Sequence, residues 1–223
     1  MITVDIDHYS DVLCVWAYIS QVRMQQLRSD FPDVVDLTYH YFSVFGDIAS
    51  KMDVQWAQRG GIAAYADHVH DVASGFEHLD IHTDVWRDNV PSSSMPAHLY
   101  LCAAAELEAE DQVHTGAQQR LDSIIRTAFF EYNLDVSDND TLIQLVDQAL
   151  LPVDMVIAKM KQGKAHARLH SCIQKASDAG VRTSPALVFN EGRQMLAGNV
   201  GYKLIEANVR ELLEPGADNQ GWC

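Results

Sequence analysis

The chain has 223 residues, of which 48% are hydrophobic and 21% charged, a balance that supports a packed core and excludes a disordered or low-complexity polypeptide. Sixteen basic residues against 31 acidic leave a formal net charge of −15, which repels nucleic-acid phosphates and anionic membrane surfaces and speaks against both as partners. No apolar run is long enough to cross a bilayer and the start, Met1-Ile2-Thr3-Val4, has neither a basic flank nor an apolar signal core; a cytoplasmic protein is expected, with its four cysteines reduced and each judged singly.

Residues 2–9 alternate apolar and polar side chains (Ile2, Val4, Ile6 against Thr3, Asp5, Asp7), the period of a strand with one buried face. Ser10-Asp11 breaks it, and from Val15 to Arg28 the spacing becomes helical, with Tyr18, Val22 and Leu27 facing inward, until Asp30-Phe31-Pro32 ends the helix. Val34 to Phe42 is rich in β-branched and aromatic residues and reads as a second strand. Two short strands joined by a helix imply parallel neighbours with a right-handed crossover.

From Asp47 to Ala179 the pattern is helical. Leu121, Ile124, Ile125, Ala128, Phe129 and Tyr132 make one apolar stripe. Ser137-Asp138-Asn139-Asp140 offers an N-cap, Pro152 suits a first helical turn, and Gly180 closes a later helix. The densest basic stretch, Lys159 to Arg168, reads as a solvated helix face. Ala186 to Phe189 and Gln194 to Ala197, joined by Asn190-Glu191-Gly192, form a hairpin. A last helix over 202–213 turns Leu204, Ile205, Val209, Leu212 and Leu213 inward, and the chain beyond Pro215 is polar and frayed. The order is β-α-β, a helical block, then β-β-α, so the expected class is α/β with an all-helical insertion. The expected parts are 1–45 with 180–215, the insertion 46–179, and a flexible tail 216–223.

Cys14 falls between the first strand and the first helix, where unpaired backbone amides and the helix dipole favour a thiolate. Such positions bring a thiol down from ~8.5 to between ~3.5 and ~7.5. The plain alternative is a small buried core residue.

Three stretches resemble the DsbA-like branch of the thioredoxin superfamily, which includes FrnE-type oxidoreductases, kappa-class glutathione transferases and hydroxychromene carboxylate isomerases. Ser10-Asp11-Val12-Leu13-Cys14-Val15-Trp16-Ala17-Tyr18 resembles the active-site segment, commonly an aspartate shortly before Cys-Pro-Trp-Cys-Tyr. Gly180-Val181-Arg182-Thr183-Ser184-Pro185 is similar to the stretch that carries the family's cis-proline, and Ala128-Phe129-Phe130-Glu131 with Leu134-Asp135-Val136-Ser137-Asp138 resembles its helical insertion. The resemblance implies a thioredoxin-like fold with a cis bond at Ser184-Pro185 beside Cys14. It also implies that Thr183 and Ser184 offer main-chain hydrogen bonds to an extended substrate or to glutathione, and that Trp16 walls the groove. Because members of this branch often pair as dimers, the resemblance also points to a homodimer.

The departures shape the expected chemistry. Val15 replaces the usual proline, and Ala17 stands where the oxidoreductases keep a second cysteine. A mixed disulfide is released when a second thiolate attacks it, so a cycle here needs an outside thiol, with glutathione the expected co-substrate. In the transferases and isomerases the position matching Cys14 commonly holds a serine that faces the glutathione sulfur. Gly198-Asn199-Val200-Gly201 lacks the charge that such relatives place before the last helix, leaving backbone amides at Asn199 and Val200 to hold a carboxylate. Three readings follow: a single-cysteine thiol–disulfide oxidoreductase, a glutathione-dependent transferase or isomerase, and a binding module without catalysis.

Other signals read as structural. His68, His70, His78, His82, His166 and His170 lack a metal-ligand pattern and are expected to face solvent. Cys102 and Cys172 read as small core residues, Cys223 as a loose terminal thiol, Asp5 and Asp7 as a solvated strand edge, and His8 is unassigned. No tightly bound cofactor is implied; the partner is a thiol or disulfide substrate.

Overall fold

Four strands, β1 (Val4–Ser10), β2 (Val35–Tyr41), β3 (Ala186–Phe189) and β4 (Gln194–Ala197), form one mixed sheet in the order β2-β1-β3-β4. In this computed structural model, which describes residues 3–214, β1 is parallel to β2 and antiparallel to β3, and β3 is antiparallel to β4. Ile2, Pro215, the tail and Cys223 lie outside the described residues.

The alternation of β1 sorts its side chains onto two covered faces. Val4 and Ile6 share an apolar cluster with Met24 and Leu27 of α1 (Val15–Asp30) and with Ile205, Val209 and Leu212 of α9 (Tyr202–Leu213). Each such buried side chain contributes roughly 1.5–3 kcal/mol. On the other face Tyr9 packs with Val188 and with Ala176 of α8 (Lys164–Asp178). Of the Asp5/Asp7 pair, Asp5 is exposed as expected, whereas Asp7 is half-buried and pairs with His40 of β2, which in turn meets Cys172 of α8.

Between the halves of the sheet run α2 (Ile48–Lys51), continued by a π turn (Met52–Trp56) and a 3-10 turn (Ala57–Arg59), then α3 (Gly61–Ser74), α4 (Met95–Ala109), α5 (Ala117–Phe130), α6 (Asn139–Gln148), α7 (Val153–Lys161) and α8. Asp138 caps α6 by accepting from the Thr141 amide at 2.7 Å, and Gly180 ends α8 at φ +70, a conformation glycine adopts without a Cβ clash. One apolar cluster contains Leu13 and Tyr41 of the β-α-β half together with Phe129, Leu145 and Leu169 of the helices. The β1–α1 junction is thus clamped between sheet and insertion.

The structure corrects several inward assignments. Residues 75–94 form no helix; they wrap around the fully buried Trp86, whose ring meets Phe45, Tyr65 and Phe129. Tyr132 is exposed because α5 stops at Phe130. Val22 and Leu204 are exposed as well, because α1 turns Met24 and Leu27 to the sheet and α9 turns Ile205 and Val209. The Lys159–Arg168 stretch is not simply solvated: Lys159 is buried against Glu110, the C-cap of α4, Lys164 reaches the same carboxylate at 2.7 Å and Arg168 reaches Glu106 of α4 at 2.8 Å.

Candidate active site

Strand β1 ends at Ser10, and the turn that follows places Cys14 at the N-cap of α1, in extended conformation. Its amide donates to the Asp11 carbonyl at 3.1 Å and its carbonyl accepts from the Tyr18 amide at 3.0 Å. The Cys14 thiol donates to the Ser184 carbonyl at 3.1 Å. The Ser184-Pro185 bond is cis, and the Ser184 hydroxyl accepts from the Asp11 amide at 3.0 Å. Cys14, Ser184 and Pro185 thus converge from segments 170 residues apart.

The electrostatics differ from what the helix start alone dictates. Cys14 is only 7% exposed and belongs to the same buried apolar cluster as Val12, Leu13 and Val15. Burial pushes the thiol above its ordinary range, and the hydrogen bonds at Ser184 and the Ala17 amide do not offset it; the nearby Asp11 carboxylate acts in the same direction as burial. Desolvation outweighs the helix terminus, so the resting group is a neutral thiol and not the expected thiolate. Alkylation of Cys14 by iodoacetamide is expected to be slower at neutral pH than that of an unfolded cysteine, and to keep rising with pH beyond the ordinary thiol value of about 8.5. A rate that has already levelled off by neutral pH would contradict this assignment.

Two buried charged residues organise the turn. Asp11 has no solvent exposure; one carboxylate oxygen accepts from the Leu13 amide at 2.9 Å, the other from the amides of Val44 and Phe45, both at 2.9 Å, and from the Ser94 hydroxyl at 2.8 Å. Arg126 of α5 donates from Nη1 to the Asp11 carbonyl at 3.1 Å, from Nη2 to the Ser10 hydroxyl at 2.9 Å, and from Nε to Asp122 at 2.9 Å. His98 of α4 accepts from the Val12 amide at 3.3 Å, which requires a neutral ring, and burial holds its pKa below the ordinary imidazole value. Asp11 could be noticed as a strand breaker before the cysteine. For Arg126 the only sequence signal was its i,i+4 spacing from Asp122.

The remaining predicted residues divide. Thr183 is exposed, and its backbone enters no backbone hydrogen bond among the described residues. Trp16 is half-buried with its ring edge-on to Phe76, centroids 6.3 Å apart. The Gly198 amide donates to the Pro185 carbonyl at 2.8 Å, which brings the 198–200 turn beside the cis-proline. There the Val200 amide is already engaged by the Gly198 carbonyl at 3.1 Å, a correction to its expected role. The Asn199 side chain accepts from Arg23 of α1, so the charge missing from the turn comes from another element. Between α1 and α5 runs a cavity of about 490 Å3 whose lining includes Ala17, Gln21, Arg28, Arg120 and Asp122. The ring of His8, fully buried, also borders it.

Of the histidines set aside, His68, His78, His82, His166 and His170 are exposed and His70 is half-buried. Among the described residues no three His, Cys, Asp or Glu side chains cluster as a metal site. No helix of the described residues is long and apolar enough to cross a membrane.

A profile of the DSBA-like thioredoxin domain matches residues 5–210. No curated protein matches the sequence. Among solved structures, a protein assigned as a disulfide isomerase from Nitrosomonas europaea superposes with a TM-score of 0.75 at 16% identity, covering 98% of this chain and 100% of that one. The cytosolic disulfide reductase DsbM from Pseudomonas aeruginosa with GSH gives 0.67 at 15% identity, covering 92% and 99%. The 2-hydroxychromene-2-carboxylate isomerase gives 0.64 at 14% identity, covering 97% and 100%. At these identities the likeness is one of fold.

Proposed function

The chain belongs to the DSBA-like thioredoxin domain family, and on that premise we propose that it is a thiol–disulfide oxidoreductase working through one cysteine, Cys14, with glutathione as co-substrate. The observation that carries the reading is the 3.1 Å contact between the Cys14 sulfur and the Ser184 carbonyl at the cis-proline. A disulfide laid along Thr183 and Ser184 by strand addition brings one of its sulfurs to Cys14. The Cys14 sulfur then forms a bond to that sulfur, the substrate S–S bond breaks, and the departing thiolate takes the proton that Cys14 gives up. Ala17 supplies no second thiol, so a glutathione thiolate bonds to the substrate-derived sulfur of the mixed disulfide, the bond from that sulfur to Cys14 breaks, and Cys14 leaves as a thiolate that takes up the glutathione proton, releasing oxidised glutathione or a glutathione mixed disulfide. Arg23 beside Asn199 offers a cation for a glutathione carboxylate. A cytoplasmic setting, where glutathione is abundant and thiols stay reduced, suits this cycle.

One observation favours a second reading. A neutral, desolvated Cys14 thiol is a hydrogen-bond donor, suited to orienting a glutathione thiolate for conjugation or isomerisation without covalent attachment. Intact-mass measurement after exposure to oxidised glutathione separates the two. The oxidoreductase reading expects one glutathione adduct, mapped to Cys14 and absent in Cys14→Ser, which also fails to reduce a glutathione mixed disulfide. Conjugation of a small electrophile with no adduct overturns it in favour of the second.

A further inference from the structure

The sheet face opposite α1 holds a second cluster of reactive side chains. His40 of β2 lies between Asp7 of β1 and Cys172 of α8: its Nε2 is 2.5 Å from Asp7 Oδ1 and its Nδ1 is 3.6 Å from Cys172 Sγ. The imidazole stacks on Tyr9 with centroids 4.8 Å apart, which fixes its plane. Cys102 of α4, fully buried, lies against Cys172, in a stretch where Ala103, Ala104 and Ala105 keep α4 slim.

The charges are distributed unequally. The hydrogen bond from Cys102 and the contact with His40 hold the Cys172 thiol below its ordinary range against burial, while the same Cys102 contact raises Cys102. Burial pulls the His40 imidazole down, but Asp7 and Cys172 outweigh it and leave it raised. The imidazole 3.6 Å from the Cys172 sulfur, held by Asp7 on its other nitrogen, makes Cys172 the sulfur placed to give up its proton and the buried Cys102 the one placed to resolve the product, the division of labour that sulfur oxidation followed by resolution requires.

We propose that Cys172 and Cys102 form a second redox site, in which a small hydroperoxide oxidises Cys172 and Cys102 closes the product into an internal disulfide. The Cys172 thiolate forms a bond to the outer peroxide oxygen as the O–O bond breaks, giving a sulfenic acid and a hydroxide or alkoxide that takes a proton. The Cys102 sulfur then forms the S–S bond, the S–O bond breaks, and the Cys102 proton leaves with the hydroxyl as water. Two thiols are oxidised and one peroxide is reduced. Size selects the oxidant: Cys172 is only 5% exposed, which shuts out a protein disulfide and leaves a small hydroperoxide, and a surface cleft of about 280 Å3 is lined by its neighbours Ile173 and Ala176 on α8, though not by Cys172 itself. The site is independent of Cys14, which lies across the sheet.

The test uses the reduced protein itself. After equimolar hydrogen peroxide, free thiols are alkylated under denaturing conditions and the protein is digested with trypsin without reductant. The expected product joins peptide 88–120, containing Cys102, to peptide 169–175, containing Cys172, two hydrogens lighter than the separate pair. In Cys102→Ser, dimedone should instead label Cys172. Full alkylation of Cys102 and Cys172 after peroxide, oxidation confined to the Cys14 peptide 1–23, or a disulfide from Cys172 to Cys14 or Cys223 would each overturn the proposal.

Discussion

Replacing Arg126 by Leu is expected to lower the unfolding free energy by about 3–5 kcal/mol, the scale for breaking a buried ion pair from one side. The guanidinium is 1% exposed and serves Asp122, the Ser10 hydroxyl and the Asp11 carbonyl at once. Leucine would leave the Asp122 carboxylate, itself 4% exposed, with Gln21 as its one donor among the described residues. Lysine would keep the charge but lose the planar fork that reaches three acceptors, so Arg126→Lys should recover only part of the loss. Because Arg126 holds the turn that delivers Cys14, the Leu variant should also alkylate faster at Cys14. Urea denaturation decides: a loss below about 1 kcal/mol would mean that solvent reaches this arginine. The double variant Arg126→Leu with Asp122→Leu should regain much of the stability, since an apolar pair carries no desolvation penalty.

That dependence shows which parts of the molecule a sequence can display. Strand β1, helix α1, the β3–β4 hairpin and α9 were legible because each has its own period and punctuation, down to Asp138 as a cap and Gly180 as a stop. Cys14 and Pro185 stood out because a resemblance tied them together across the chain. The state of the Cys14 thiol was not legible: the helix start is local, whereas the burial that overrides it comes from Val12, Leu13 and the helical layer closing around them. Asp11 and Arg126 are polar residues whose partners lie on other elements, in the case of Arg126 more than a hundred positions away. The Asp7, His40 and Cys172 contacts fail for the same reason. Alternation correctly put Asp7 opposite Val4 and Ile6 but could not reveal that α8 covers that second face. Segment 75–94 lacks any period because one aromatic side chain, Trp86, organises it.

Acid should destabilise this protein before its carboxylates protonate, and His8 is the principal cause. Its ring is buried, neither nitrogen has a partner among the described residues, and Tyr39 stands edge-on at 5.0 Å. Burial, with the Arg126 charge adding to it, depresses its pKa from 6.5 to about 3. Between those values the unfolded chain binds a proton that the native state refuses, so stability is full above the unfolded value and falls as pH drops through the window. At about 1.4 kcal/mol for each pH unit, the loss reaches several kcal/mol, a large share of the 5–15 kcal/mol typical of a domain. His98, also depressed by burial, acts in the same direction. His40 acts oppositely: its pKa is raised, so its contribution is complete below the unfolded value and is lost only as pH rises. The Asp7 carboxyl, lowered from 3.8 by its hydrogen bond to His40, enters only at the acid end. Urea midpoints measured from about pH 7 to about pH 4 should fall steadily, and His8→Phe, which removes two unpaired nitrogens and no hydrogen bond, should flatten much of that slope while holding stability at neutral pH. An unchanged slope in the Phe variant would show that His8 takes up its proton inside the fold.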